Sequence, residues 1–192
     1  MNDKNTLREH YKKLRRGMQP DEKNSKDAEV ADRVLSLDEY KKCSRVLVYV
    51  ATDIEVGTKR IIEQSFKLDK TVLTPRCVAN TNKMDFYVIK SFDDLKSGSF
   101  GILEPDEKCE KIEHFEATDC CFVPALSYDK NGYRLGFGKG FYDRFLERFC
   151  GKTIGLCYHS CVADKLPYFQ HDKAVDLIVT DEDVINIKDK KG

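Results

Sequence analysis

The sequence predicts a single α/β domain with a largely parallel sheet and helices on both faces, on three observations. Short, continuous apolar runs rich in β-branched residues recur along the chain, as expected of strands buried on both faces. Segments with helical apolar periodicity separate them, the alternation that marks βαβ construction. The length, 192 residues, fits one domain of the usual roughly 100–200 residues. No internal repeat, low-complexity tract or linker divides it.

Each element follows from local pattern. Leu7, Tyr11, Leu14 and Met18 fall on one face of a first helix over residues 5–18. Gln19-Pro20-Asp21 breaks it, and a second helix is expected from Asp21 to Leu37. Val46 to Val50 reads as a buried strand, and Ile61, Ile62 and Phe66 mark a helix over Thr58 to Lys67. Strands are expected at Thr71–Thr74, before Pro75, and at Met84–Ile89. Ser91 to Thr118, with Gly98, Gly101, Pro105 and many charges, reads as mainly loop with short elements. Cys120 to Val123 is a strand ending at Pro124, and a helix is expected from near Lys139 to Phe149. Thr153–Cys157 and Val175–Val179 complete the strands, with an added edge at Val184–Ile187.

Composition removes several function classes. Acidic and basic side chains number 33 each, so the global basic field of a general nucleic-acid binder is absent. Aromatic content of 10% argues against a disordered charged chain. The apolar runs Val46–Ala51 and Cys120–Leu126 fall far short of the ~20 residues that span a bilayer. The N-terminal stretch lacks an apolar signal-peptide core, so the expected location is the cytoplasm. Eight cysteines (Cys43, Cys77, Cys109, Cys120, Cys121, Cys150, Cys157 and Cys161) are dispersed with no C-x-x-C pair. They are expected to be reduced and mostly buried. Cys157-x-His159-x-Cys161 alone hints at metal, and its spacing fits no common zinc template.

The most informative segment runs from Val123 to Arg144. Four of eleven glycines fall within it: Gly132, Gly136, Gly138 and Gly140. Glycine lets a ligand approach the backbone, and this stretch leads from an expected strand into an expected helix, whose free amides would bind an anion. Arg134 and Lys139 add two cations, which suits a polyphosphate. The spacing matches neither the Walker nor the dinucleotide fingerprint, so the alternative is a surface loop whose glycines serve turns. Asp143, in the first turn of the next helix, either complements its dipole or holds magnesium against phosphates. Phe141, Phe145 and Phe149 form a stripe better suited to a helix core than to stacking.

Residues 1–20 carry six basic and two acidic side chains. Lys4, Arg8 and Arg15 lie close to one face, ordinarily a solvated one. Glu55 and Thr58 follow the first strand at the end where ligands gather in open α/β sheets. Asp176, within an apolar strand, needs a partner.

Together, Val123–Leu146 (VPALSYDKNGYRLGFGKGFYDRFL) resembles the signature of the 5-formyltetrahydrofolate cyclo-ligase family. Lys4-x-x-x-Arg8, Glu55-x-x-Thr58, Phe100-Gly-Ile-Leu-Glu-Pro105, and Pro167 with His171-Asp172 before Val175-Asp176 agree in order. The resemblance implies a single-domain, three-layer α/β/α sandwich with a largely parallel, mixed sheet over residues 1–192. It implies ATP contacts from Lys4, Arg8 and the loop Arg134, Leu135, Gly136, Phe137, Gly138, Lys139, Gly140, Phe141 and Tyr142. It implies a folate pocket lined by Val50, Glu55 and Phe137 to Phe141, and magnesium at Asp143 and Asp176. Two positions depart from the pattern. Phe137 stands where some relatives have arginine, so a phosphate contact there is lost or supplied by Lys139, and Gly57 stands where relatives often carry an acid.

The implied reaction converts 5-formyltetrahydrofolate and ATP into 5,10-methenyltetrahydrofolate, ADP and phosphate, with Arg134 and Lys139 as the charge-neutralising catalytic residues. A folate, polyglutamylated or not, is then the small-molecule partner. A monomer without nucleic-acid or membrane partners is expected. The rival reading is a phosphate-ligand domain such as a sugar-phosphate isomerase relative, which fold alone does not separate.

Overall fold

Val46, Val72 and Cys120 lie side by side in the central sheet, and around them the computed structural model describes residues 3–98 and 101–187. The chain begins with helices α1 (Lys4–Arg16), α2 (Pro20–Ser36) and α3 (Asp38–Lys42), then strand β1 (Arg45–Leu47) and helix α4 (Lys59–Lys67). Strands β2 (Thr71–Cys77), β3 (Met84–Ile89), β4 (Leu95–Ser97), β5 (Leu103–Pro105) and β6 (Lys111–Ile112) follow. Next come β7 (Cys120–Pro124), β8 (Ser127–Asp129), β9 (Arg134–Leu135), α5 (Phe141–Leu146) and β10 (Lys152–Leu156). The last strands are β11 (Val162–Ala163), β12 (Leu177–Val179) and β13 (Val184–Asn186).

The central sheet has eight strands in the order β13-β12-β10-β7-β1-β2-β3-β6. Its middle is parallel, from β12 to β2. Antiparallel pairs flank it at β12–β13, β2–β3 and β3–β6. The expected mixed, largely parallel sheet is therefore present.

Register sorts the residues into two faces, because successive side chains of a strand point to opposite sides. Ile154 pairs with Phe122, and Gly155 with Val123. Phe122 meets Tyr40 of α3, so its face carries α2, α3 and α4. Gly155 meets the Tyr128 ring of β8, so the opposite face carries that strand. The second outer layer carries helices, as expected, together with a small sheet. It holds the β11-β8-β9 sheet, the short α5 through Phe145 against Phe86, and α1 docked on β9.

Several boundaries differ from the sequence expectation for physical reasons. The first strand stops at Leu47 instead of Val50. Strand β2 runs through Pro75 to Cys77. The Leu73 carbonyl accepts the Val48 N–H at 2.9 Å. Pro75, two residues on, turns its nitrogen to the same side, beyond the end of β1, where no donor is required. Helix α5 covers only residues 141–146 of the expected 139–149, and Gly140, at φ 68°, sets its start. Phe149 still packs, edge-on to Phe115 at 5.7 Å. Strands β8, β9 and β11 and helix α3 were not expected from local pattern. Segment 91–118 is, as expected, loop with short strands and a 3-10 turn.

All eight cysteines are free thiols, and Cys43, Cys120, Cys121, Cys157 and Cys161 are buried. His159 faces Glu182 and Asp183 at 3.6 Å each.

Candidate active site

A cavity of about 350 Å³ opens at the carboxyl ends of the parallel strands, the place where ligands settle in open α/β sheets. It exists because β1 ends early. After Leu47 the chain turns away, and the Thr58 hydroxyl takes over the Tyr49 carbonyl at 2.7 Å. The segment between them lays Tyr49, Val50, Thr52 and Glu55 along one wall. Pro75, Cys77 and Met84 come from β2 and β3, and Glu104 from β5. The third wall is the loop from Gly136 to Tyr142, with Arg134 at its base.

That loop is built by a hairpin. The Asp129 carboxylate receives the N–H groups of Asn131 and Tyr133 at 2.9 and 3.0 Å, and that of Leu166 at 3.0 Å. Beyond β9, Gly138 and Gly140 adopt φ of 100° and 68°, which ordinary side chains rarely tolerate. The Arg8 guanidinium lies against Gly138, 3.4 Å from where a Cβ would stand. Its Nε donates to the Gly136 carbonyl at 2.9 Å. The first helix therefore rests on the loop.

Arg134 is nearly buried. Nη1 donates to the Lys173 carbonyl at 2.8 Å and Nη2 pairs with Asp143 Oδ1. Lys139 is exposed on the loop. These two cations and Arg8 converge on a glycine-rich backbone, an arrangement suited to a polyphosphate.

The opposite wall is different in character. Glu55 is 8% exposed, and its Oε2 accepts the Thr52 N–H and hydroxyl, both at 2.8 Å. Burial pushes the hydroxyls of Tyr49 and Tyr142 well above the usual tyrosine range, and the Glu55 charge acts in the same direction. Both phenols are therefore neutral donors at physiological pH. Tyr49 donates to the Val56 carbonyl at 2.9 Å. The Tyr142 hydroxyl is buried without a protein partner, so the Tyr142 ring offers a donor at the junction of loop and cavity.

Both acids expected to hold magnesium lie on the face of α5 and β9. Asp143 joins Arg134, as described. Asp176 precedes β12, and its Oδ2 accepts the N–H and hydroxyl of Thr153, each at 2.7 Å. Thr153 pairs with Cys121, and its alternate neighbour Gly155 faces Tyr128. No group of three or more His, Cys, Asp or Glu side chains converges among the described residues. Magnesium commonly takes one or two carboxylates and completes its shell with phosphate oxygens and water, so the Asp143 carboxylate beside the cationic loop fits an ion that arrives with a nucleotide.

The model of the 5-formyltetrahydrofolate cyclo-ligase family matches residues 1–181. The chain belongs to this family. Among relatives of the cyclo-ligase family, the mouse 5-formyltetrahydrofolate cyclo-ligase is 28% identical, over 93% of this chain and 94% of its own. The probable 5-formyltetrahydrofolate cyclo-ligase of Schizosaccharomyces pombe is 29% identical, over 84% and 87%. The solved structure of the Aquifex aeolicus 5,10-methenyltetrahydrofolate synthetase superposes with a TM-score of 0.85 at 32% identity, covering 98% of this chain and 95% of that one. The Mycoplasma pneumoniae 5,10-methenyltetrahydrofolate synthetase gives 0.74 at 25% identity, covering 94% and 99%.

Within this cyclo-ligase fold, the cavity wall brings together Val50, Glu55, Arg134 and the loop residues Gly136 to Tyr142. Lys4 and Arg8 reach the site from α1: Arg8 touches the loop, and Lys4 donates to Asp172 Oδ2 at 2.7 Å. Leu135 is buried behind the loop in β9. Phe141 belongs to the wall, and Phe145 to the core. Phe100 lies outside the described residues. Sequence reasoning missed Tyr49, Cys77 and Glu104 as cavity residues. Glu104 stands in a motif piece that carried the resemblance, but its role became visible only when β5 closed on β2. The departure at Gly57 also has a structural cause. Its N–H donates to Asp27 Oδ1 at 2.8 Å, and a Cβ there would stand 2.6 Å from Asp27 Oδ2. The acid at this place comes from α2, and it accepts the Tyr158 hydroxyl at 2.7 Å.

Proposed function

We propose that the chain converts 5-formyltetrahydrofolate and ATP into 5,10-methenyltetrahydrofolate, ADP and phosphate. One observation carries the reading: an apolar cavity with a buried carboxylate opens directly onto a cationic glycine loop. The names of the family and of the similar solved structures support the same substrate and product.

The formyl oxygen is a poor leaving group, and phosphorylation makes it a good one. In this reading it attacks the γ-phosphoryl group, ADP departs, and an iminium phosphate forms at nitrogen 5. Nitrogen 10 then adds to the formyl carbon and closes the ring, its proton passes to the departing phosphate or to water, and phosphate leaves. Such transfer depends on positioning and charge neutralisation. Arg134, Lys139, Lys4 and Arg8 supply positive charge around the loop. Glycines let the backbone amides approach the phosphates. Val50, Glu55 and Phe137 to Phe141 seat the folate, and the neutral Tyr142 hydroxyl donates at the junction.

Asp143, with Asp176 on the same face, would hold magnesium, which neutralises phosphate charge when bound. Action as a monomer in the cytoplasm, on free or polyglutamylated folate, completes the reading. The test supplies 5-formyltetrahydrofolate, ATP and magnesium to folded protein and follows methenyl absorbance alongside ADP. Equal amounts of both products are expected. Absence of the methenyl product removes the assignment.

A further inference from the structure

Arg15 lies close to the face of α1 that carries Lys4 and Arg8, yet it is not solvated. It is 3% exposed. Seven residues separate it from Arg8, which is two helical turns and about 10 Å of rise. Its Nη1 donates to the Ile54 carbonyl at 3.0 Å, and Nη2 reaches Cys157 Sγ at 3.9 Å. The guanidinium carbon stands 5.3 Å from the centre of the Tyr158 ring. Nε is buried without a protein partner. Among the described residues no carboxylate pairs with this arginine. A buried cation with no opposite charge beside it is costly to the fold, and choices of that kind gather at functional sites.

The Ile54 carbonyl belongs to the turn that forms one wall of the cavity. Glu55 N–H donates to the Thr52 carbonyl at 3.1 Å, and Glu55 Oε2 accepts the Thr52 N–H and hydroxyl. The direction of the Glu55 carboxylate therefore follows the backbone of residues 52–55. Thr52 and Glu55 line the cavity, whereas Arg15 grips the same turn without lining it. The Tyr158 hydroxyl stands 3.4 Å from the Glu55 carbonyl oxygen, so the ring beside the guanidinium supports the next peptide as well.

We propose that Arg15 is a positioning residue for the folate, holding the 52–55 turn by its Ile54 carbonyl and so aiming Glu55 into the cavity. One helix then serves both substrates: Arg8 sets the nucleotide loop, and Arg15 sets the folate wall. The proposal deepens the folate-seating reading above and rests on it.

Calorimetry with 5-formyltetrahydrofolate in the absence of ATP measures the folate wall by itself, and the KM for ATP reports on the glycine loop. Arg15→Met keeps an unbranched stem and removes the charge and the donors. It is expected to weaken folate binding about 10-fold, with the KM for ATP unchanged and the melting temperature within a few degrees of wild type. Arg15→Lys, which keeps the charge and a donor for the Ile54 carbonyl, is expected to recover most of the folate affinity. Wild-type folate affinity in Arg15→Met overturns the proposal, as does a rise in the KM for ATP as large as the folate loss. An Arg15→Met chain that does not fold overturns it too, because the arginine then holds the fold and not the turn. Arg15→Lys binding no tighter than Arg15→Met has the same effect. A wild-type protein that binds no 5-formyltetrahydrofolate removes the folate reading itself.

Discussion

Arg8 donates from Nε to the Gly136 carbonyl at 2.9 Å, joining the first helix to the glycine loop across 128 positions of sequence. The bond fixes the loop that would wrap the nucleotide. A hydrogen bond from a charged group is worth roughly 1.5–3 kcal/mol, so Arg8→Ala is expected to raise the KM for ATP by about 10- to 100-fold. The KM for the folate should move far less. Equal movement of both constants would show that the helix serves the whole site.

Lys139 and Arg134 separate charge from scaffold. Lys139 is exposed, and Arg134 is buried against Asp143 and the Lys173 carbonyl. Lys139→Ala is expected to lower kcat by about 10²-fold or more at saturating ATP, with a smaller fall in melting temperature than Arg134→Ala. Arg134→Ala is expected to lower both, since Asp143 then loses its partner. Near-wild-type turnover in Lys139→Ala removes that residue from the chemistry.

Asp143→Asn tests the metal assignment. The substitution keeps the hydrogen-bonding shape and removes the charge. The magnesium concentration for half-maximal rate should rise about 10-fold or more. A superimposable magnesium titration rules out Asp143 as a ligand.

Gly155 packs directly against the Tyr128 ring, between the sheet and the second layer. A Cβ at 155 would stand 2.5 Å from Tyr128 Cζ. Overpacking of this kind costs about 1–3 kcal/mol, so Gly155→Ala should lower the melting temperature by several degrees. An unchanged melting temperature would mean that the tyrosine moves aside freely.

Acid sensitivity is expected at the Lys26–Asp181 pair, 2.7 Å apart. Burial tends to raise the Asp181 pKa, but the Lys26 ammonium and the His159 N–H together hold it below the usual range. A depressed carboxylate contributes stability above its unfolded pKa, about 3.9, and loses it as pH falls through the folded value. Asp181→Asn should therefore be less stable than wild type at pH 7, by about 1.5–3 kcal/mol. The gap should close below pH ~4. A gap that persists into acid would assign it to packing.

Local pattern revealed the parts of the fold that bury a continuous or periodic apolar face. Ile61, Ile62 and Phe66 announced α4, and Met84 to Ile89 matched β3 to the residue. The short strands β8 and β9 escaped because their pairing is set by Asp129, whose carboxylate collects three N–H groups across the hairpin and from Leu166. Glycine spacing and the cations at 134 and 139 made the loop legible as a phosphate site. The cavity was less so. Tyr49 and Glu104 are separated by long stretches of sequence, and only the early end of β1 and the closure of β5 bring them to one wall. Asp176 was legible as a buried acid in need of a partner, and Thr153 is that partner.

Pro75 lines the cavity just where β2 outruns β1. A residue with an N–H at this place could recruit the chain beyond Leu47 as further ladder. Proline has none to offer, so the ladder between β1 and β2 goes no further on this side. A side chain ordinarily counted as a strand breaker here acts as a gatepost. It guards the mouth of the crevice against the sheet's own tendency to zip shut.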